Sequence, residues 1–202
     1  MLFRSERVPP ERQVDLGSLA LFPGSRPAEL RRLWPVFRET AERMEARRIW
    51  LALAPGRSVA ELGRLPAHTE VVDSATALRC AEKALSKSGT STLELAIGGV
   101  PTVVAHRVHP LTWYLGRLLV RGVRHLALPN VLLARQEEIG VGTQAPVPEY
   151  LQQFGAEALC RGLQLVGAPP VEKLRNILDI PGDRRSVAER AAESILRPLA
   201  RR

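Results

Sequence analysis

Cysteine is scarce in this chain. Cys80 and Cys160 stand far apart, with no Cys-X-X-Cys spacing. That excludes a disulfide framework, argues against a zinc site and suits a reducing compartment, with both residues expected as ordinary buried thiols. Aromatic residues make up only 4% of the sequence, too few for a stacking platform for single-stranded nucleic acid. The arginines are spread along the chain, with no basic tract of the kind that forms a nucleic-acid arm, so nucleic acid is not an expected partner. No stretch approaches the roughly 20 apolar residues of a membrane span. The opening apolar run ends at Arg4, which does not describe a secretory signal. A cytoplasmic protein is expected. Neither a G-x-x-x-x-G-K-[ST] loop nor a G-x-G-x-x-G turn occurs.

What is present describes a globular enzyme-sized domain. The 202 residues are 45% hydrophobic, enough for one generous domain with a packed core and short for two. The formal net charge is +8, and the isoelectric point is near 10.6. Much of this charge solvates helix faces, and the excess suits an anionic partner such as a diphosphate or an acidic membrane surface.

Along the chain, short apolar runs alternate with helical periodicities. Strands are expected at 19–22, 49–53, 70–73, 84–86, 101–105 and 126–128. Helices are expected at 28–47 (with Pro35 inside it), 58–65, 74–81, 92–97 and 111–120. The strands are continuous apolar runs, so the expected fold is α/β: a doubly wound parallel sheet of Rossmann type, covered on both faces. Helices at 147–165, 171–178 and 186–200 form a helical C-terminal tail. The expected division is an arm at 1–17, a nucleotide-binding domain at 18–168 and terminal helices at 169–202 packing on it.

In such a sheet, ligands sit beyond the carboxyl ends of the strands. Two turns there carry the relevant chemistry. In Phe22-Pro-Gly-Ser-Arg26, Gly24 allows close backbone approach, and Ser25 and Arg26 place a hydroxyl and a guanidinium at a helix start, where anions are favoured. A plain strand-to-helix turn with a solvated arginine fits the same residues. In Ser86-Lys-Ser-Gly-Thr-Ser-Thr-Leu-Glu94, the residues Ser88, Gly89, Thr90 and Ser91 can build a nest of amides for a phosphate, with Lys87 adding charge. Glu94 can accept hydrogen bonds from ribose hydroxyls. Equally, Ser91 and Glu94 have the spacing of a capping box. His106, His109 and His125 are the nearby titratable groups, and a lone histidine is ordinarily structural or solvated.

Taken in order, Leu21-Phe-Pro-Gly-Ser-Arg26, Ser88-Gly-Thr-Ser-Thr-Leu-Glu94, Pro101-Thr-Val-Val104, His109-Pro-Leu-Thr-Trp-Tyr-Leu115 and Leu128-Pro-Asn130 resemble the lipid-A-disaccharide synthases. The resemblance covers about residues 19–165. It implies a glycosyltransferase of two Rossmann-like domains (the GT-B plan), of which this chain is the C-terminal, UDP-sugar-binding half. Members transfer a lipid-bearing glucosamine unit from UDP to the 1-phosphate of a second unit, with no metal at the sugar nucleotide and no cofactor. Carried over by position, Gly24, Ser25 and Arg26 would meet the diphosphate. Ser88, Gly89, Thr90 and Ser91 would frame the nucleotide, Glu94 would hold the ribose, and Asn130 and Gln152 would lie near the sugar.

Three features depart from the family pattern. No counterpart of the acceptor domain with its candidate base is seen; Glu137–Pro146 looks like an insertion; and Lys87 stands where a small or apolar residue is expected. The expected partners are therefore a UDP-sugar, a lipid-linked sugar acceptor, and either a second copy of the chain or a separate acceptor domain. The apolar 111–120 helix, flanked by Arg107, Arg117, Arg121 and Arg124, fits either peripheral contact with the inner membrane or a core or interface helix. A non-catalytic UDP- or UDP-GlcNAc-binding module, or another UDP-sugar enzyme of this architecture, are the alternatives.

Overall fold

The computed structural model describes residues 12–109, 113 and 124–178. Six strands, β1 (Asp15–Phe22), β2 (Arg48–Ala52), β3 (Thr69–Val72), β4 (Ala81–Lys87), β5 (Thr102–His106) and β6 (Glu149–Leu151), form one sheet in the order β3-β2-β1-β4-β5-β6. Every pairing is parallel. The helices are α1 (Pro27–Arg43), α2 (Ser74–Cys80), α3 (Thr90–Ile97), α4 (Leu128–Leu133), α5 (Ala156–Leu165) and α6 (Val171–Leu178). This is the doubly wound α/β sheet that the apolar runs predict.

The sheet's side chains point alternately to two cores. Leu19, Leu21, Ile49, Leu51, Leu85, Val103 and Ala105 pack against α1 and α5 on one face. Ala20, Trp50 and Ala84 pack against α2 and α3 on the other. Further along that second face, Leu93, Ala96 and Ile97 of α3 join Val104, Leu133 of α4 and Leu174 of α6. Burial on both faces is why the strand sequences read as continuous apolar runs.

Helix α1 starts with Pro27 and carries Glu29 in its first turn and Arg43 in its last, each favourable with the backbone dipole. It stops at Glu45, which takes a left-handed conformation at φ 48°. Pro35 lies inside it on an exposed face. Trp34 Nε1 donates to the Leu62 carbonyl at 2.8 Å, tying the segment after β2 to the helix. Helix α3 ends as its double glycine predicts: Gly99 at φ 72° lets its own N–H reach the Ala96 carbonyl and the Val100 N–H reach that of Leu95. Lys83 Nζ, from within the sheet, donates to the Leu163 carbonyl at 2.7 Å, at the negative end of α5.

Several elements differ from expectation. Strand β1 begins at Asp15, inside the stretch expected to be a lead-in arm. The segment 58–65 holds only a single 3-10 turn, Val59–Glu61. Residues 126–128 are not a strand; helix α4 starts there, with Pro129 in its first turn. The expected helix at 147–165 is instead strand β6, a turn through Gln152 at φ 62°, and then α5 beginning after Gly155. Pro146 and Pro148 hold the residues before them extended, which is why the chain pairs with β5 before it coils.

Of the expected helix at 111–120 only residue 113 is described, in helical conformation, and the expected helix at 186–200 lies outside the described residues. Among the described residues no helix is long and apolar enough to cross a membrane, and no group of three or more His, Cys, Asp and Glu could hold a metal. Cys80 and Cys160 are free and half-buried, and burial pushes the Cys160 thiol up.

Phe37 is fully buried between α1 and the sheet. Phe37→Ala is expected to lower unfolding stability by about 3–5 kcal/mol, measured by urea denaturation; a loss below about 1 kcal/mol would show that this face of the core is not packed as described.

Candidate functional site

Strands β1 and β4 are neighbours, and the chain leaves them in opposite directions: β2 and β3 lie beyond β1, β5 and β6 beyond β4. The helix after β1 covers one face and the helix after β4 covers the other. The two connecting loops therefore part at the carboxyl edge, where the topology of an open parallel sheet offers a crevice for ligands. Phe22 and Ser86 are directly paired at the ends of these strands, so the two turns singled out in the sequence start side by side.

In the first turn, Gly24 has φ 111°, a region open to glycine. A β-carbon there would fall 2.9 Å from Glu29 Oε2. Ser25 is exposed, and the Arg26 side chain is 80% exposed. Arg26 is the N-cap residue of α1. A guanidinium cannot accept the amide hydrogen bonds that a capping serine or aspartate would take. One half of a capping box remains, with the Arg26 N–H donating to Glu29 Oε2 at a long 3.4 Å.

In the second turn, Gly89 caps α3 in extended conformation with no side-chain hydrogen bond, and a β-carbon on it would meet nothing within 4 Å among the described residues. Because α3 begins at Thr90, Ser91 lies inside the first turn and is not the cap. The alternative of a Ser91–Glu94 capping box is thus not realised. Thr90 is exposed and Ser91 half-buried, with its hydroxyl 3.3 Å from that of Ser86. Glu94 is half-buried one turn further along. Ser88 is buried, and its hydroxyl donates to the Leu126 carbonyl at 2.7 Å, which fastens the loop.

The two turns are joined by charge. Lys87 Nζ lies 3.1 Å from Glu29 Oε1, and Arg26 Nη1 lies 3.5 Å from the same oxygen. Burial pushes the Glu29 carboxyl up, but the Lys87 ammonium and the Arg26 amide and guanidinium outweigh it, and the carboxyl sits below its ordinary range. His106 ends β5 beside this pair. Burial, and then the Lys87 charge, push its imidazole down against the pull of Glu29, which leaves it neutral at neutral pH. Its buried Nδ1 has no hydrogen-bond partner among the described residues.

Asn130 and Gln152 have structural work that the sequence does not announce. Asn130 is fully buried. Its amide donates to the Val147 carbonyl and to Glu149 Oε1, and its oxygen accepts the Val147 N–H. Gln152 clamps Val108 at both its N–H and its carbonyl, each at 3.0 Å. Both side chains are thus engaged by backbone groups of the fold, Asn130 buried and Gln152 half-buried. Arg107, expected to flank the apolar 111–120 helix, donates to the carbonyls of Gln152, Arg32 and Phe154 and stacks on the Phe154 ring at 4.4 Å.

Glu149, unremarked in the sequence, is the buried centre of this support: it also accepts the Leu126 N–H at 2.8 Å, and His125 Nδ1 lies 3.7 Å away. The Pro-Val-Pro spacing before it predicts an extended backbone at Ala145 and Val147, and nothing in the local sequence announces that the Glu149 side chain turns inward.

Gly24→Ala would force a positive φ on a residue with a β-carbon and press it against Glu29. A stability loss of about 1–3 kcal/mol is expected in urea denaturation; unchanged stability would contradict the tight packing of this turn.

Residues 8–154 match the family model for lipid-A-disaccharide synthetase. The chain is 38% identical over 144 residues to the lipid-A-disaccharide synthase of Gluconobacter oxydans, covering 66% of this chain and 32% of that protein. It is 34% identical over 210 residues to that of Myxococcus xanthus, covering 92% of this chain and 50% of that protein. It thus spans between 32% and 50% of the lengths of these two relatives. Among solved structures, the calicheamicin glycosyltransferase CalG4 is similar at 20% identity and a TM-score of 0.47, over 83% of this chain and 37% of that one. With the family model matched from residue 8 to residue 154 of 202, the chain belongs to the lipid-A-disaccharide synthetase family.

Proposed function

We propose that the crevice between β1 and β4 binds the diphosphate of a UDP-sugar, and that the chain serves the donor side of glycosyl transfer to a lipid-linked monosaccharide 1-phosphate. The observation that carries this is the adjacency of β1 and β4, which sets two helix starts and an exposed guanidinium at one edge of the sheet. Amides at a helix start lack intrahelical acceptors and lie at the positive end of the backbone dipole. At α3 they are those of Thr90 and Ser91, with the Gly89 amide just ahead; at α1 the first residue is Pro27, which has no N–H, and the amides of Gly24, Ser25 and Arg26 lie in the turn just before it. Glu94, one turn into α3, is assigned to the ribose hydroxyls.

As the bond to the sugar breaks, the leaving UDP gains negative charge. Donors already fixed in the fold stabilise that charge without reorganising. The open space above Gly89 admits the nucleotide close to the backbone. None of these groups deprotonates the acceptor hydroxyl. That base, and the acceptor surface, are assigned to a separate domain or a second copy of the chain. Lipid-linked substrates place the reaction at a bilayer surface, and a net charge of +8 suits peripheral contact with an anionic inner membrane.

Calorimetric titration tests the binding. UDP and UDP-GlcNAc are expected to bind, Arg26→Ala to weaken UDP and free diphosphate alike by about tenfold, and Glu94→Ala to weaken UDP while sparing diphosphate. Gly89→Val, which adds a side chain in open space, is expected to leave thermal stability unchanged and to abolish UDP binding. Binding of UDP by the valine variant as tight as that of the unaltered protein would remove this loop from the site. UDP release on adding a lipid monosaccharide 1-phosphate separates a transferase from a binding module: the module would bind and release nothing.

A further inference from the structure

An anion already occupies the mouth of the crevice. The Glu29 carboxylate lies against the first turn so closely that a β-carbon on Gly24 would come within 2.9 Å of it. It receives the Arg26 amide at 3.4 Å, stands 3.5 Å from the Arg26 guanidinium and holds the Lys87 ammonium at 3.1 Å. These are the contacts a phosphate group would make with the same loop. Lys87, for its part, crosses from the end of β4 to reach it.

We infer that Glu29 is an internal competitor for the anionic ligand of this crevice, and that Lys87 is the cation it surrenders when a diphosphate binds. The inference rests on the nucleotide reading above and adds to it a device that sets affinity. The Glu29 and Lys87 side chains are 14% and 19% exposed, whereas that of Arg26 is 80% exposed. The pair therefore sits where water screens it less than an ordinary surface ion pair, and its charges act more strongly on a third charge nearby.

With Glu29 ionised, the mouth carries two cations against one anion. An arriving diphosphate is repelled by the carboxylate and must share or take its partners. Lys87 has a flexible four-carbon stem and a rotatable ammonium, which suits it to changing partners. A pair that served the fold alone would behave otherwise, because cutting either partner would lower stability without opposite effects on ligand affinity.

The opposed signs make the test. Glu29→Gln keeps the side-chain size and removes the competing charge. It is expected to tighten UDP roughly fivefold to tenfold, as one unit charge a few ångströms away in partly screened surroundings predicts. Lys87→Met is expected to weaken UDP by a similar factor. Uridine, which has no phosphate, is expected to bind all three proteins alike.

Calorimetry with UDP and uridine on the full chain reads this, and thermal unfolding confirms that each variant is folded. Should Glu29→Gln prove unstable, Glu29→Ala is read in its place. If the unaltered protein binds UDP and removing the Glu29 charge leaves that affinity unchanged or lowers it, the competitor role is overturned and the nucleotide site stands. If no form binds UDP, the nucleotide reading falls and takes this inference with it.

Discussion

The site depends on β1 and β4 lying side by side while the chain leaves them toward opposite faces of the sheet. A strand that feeds a helix on one face cannot share its exit loop with a neighbour feeding the other face, so the loops part. The gap is held open by cores on both sides, with Leu30, Leu33 and Phe37 under the first helix and Leu95 and Ala96 under the third. Packing therefore positions the backbone and side chains at that edge of the sheet.

Charge gives that gap its chemistry. Two helix starts supply partial positive charge, Arg26 and Lys87 supply whole charges, and Glu29 moderates them. His106 is held neutral beside them by burial and by Lys87, so it does not add to the field at neutral pH. The support lies one layer away. Glu149 and Asn130 fix the 126–130 segment, Ser88 ties that segment to the second loop, and Arg107 braces the end of β5 against α1 and the turn before α5.

Much of this was legible in the residues. Continuous apolar strands told of a sheet buried on both faces, and Pro23-Gly24 and Ser88-Gly89 marked the turns that the structure brings together. What was not legible has a common cause. Leu126-Ala-Leu128 is too short for its period to separate a strand from a helix start, and Pro129 is at home in a first helical turn. The 147–165 stretch contains a real helix, whose periodicity masked the three-residue strand ahead of it. Asn130 and Gln152 look like ordinary surface polar residues along the chain. Only the fold reveals that their amides fill backbone positions in neighbouring segments. The Lys87–Glu29 pair joins residues far apart in sequence, and no local pattern announces it.

On the proposed reading both loops grip one nucleotide at once. Backbone amide shifts in heteronuclear NMR, followed during titration with UDP, test it most directly. The amides of Gly24, Ser25 and Arg26 and those of Gly89, Thr90 and Ser91 are expected to move together along one saturation curve. Shifts confined to one loop, or centred on another edge of the sheet, would contradict it.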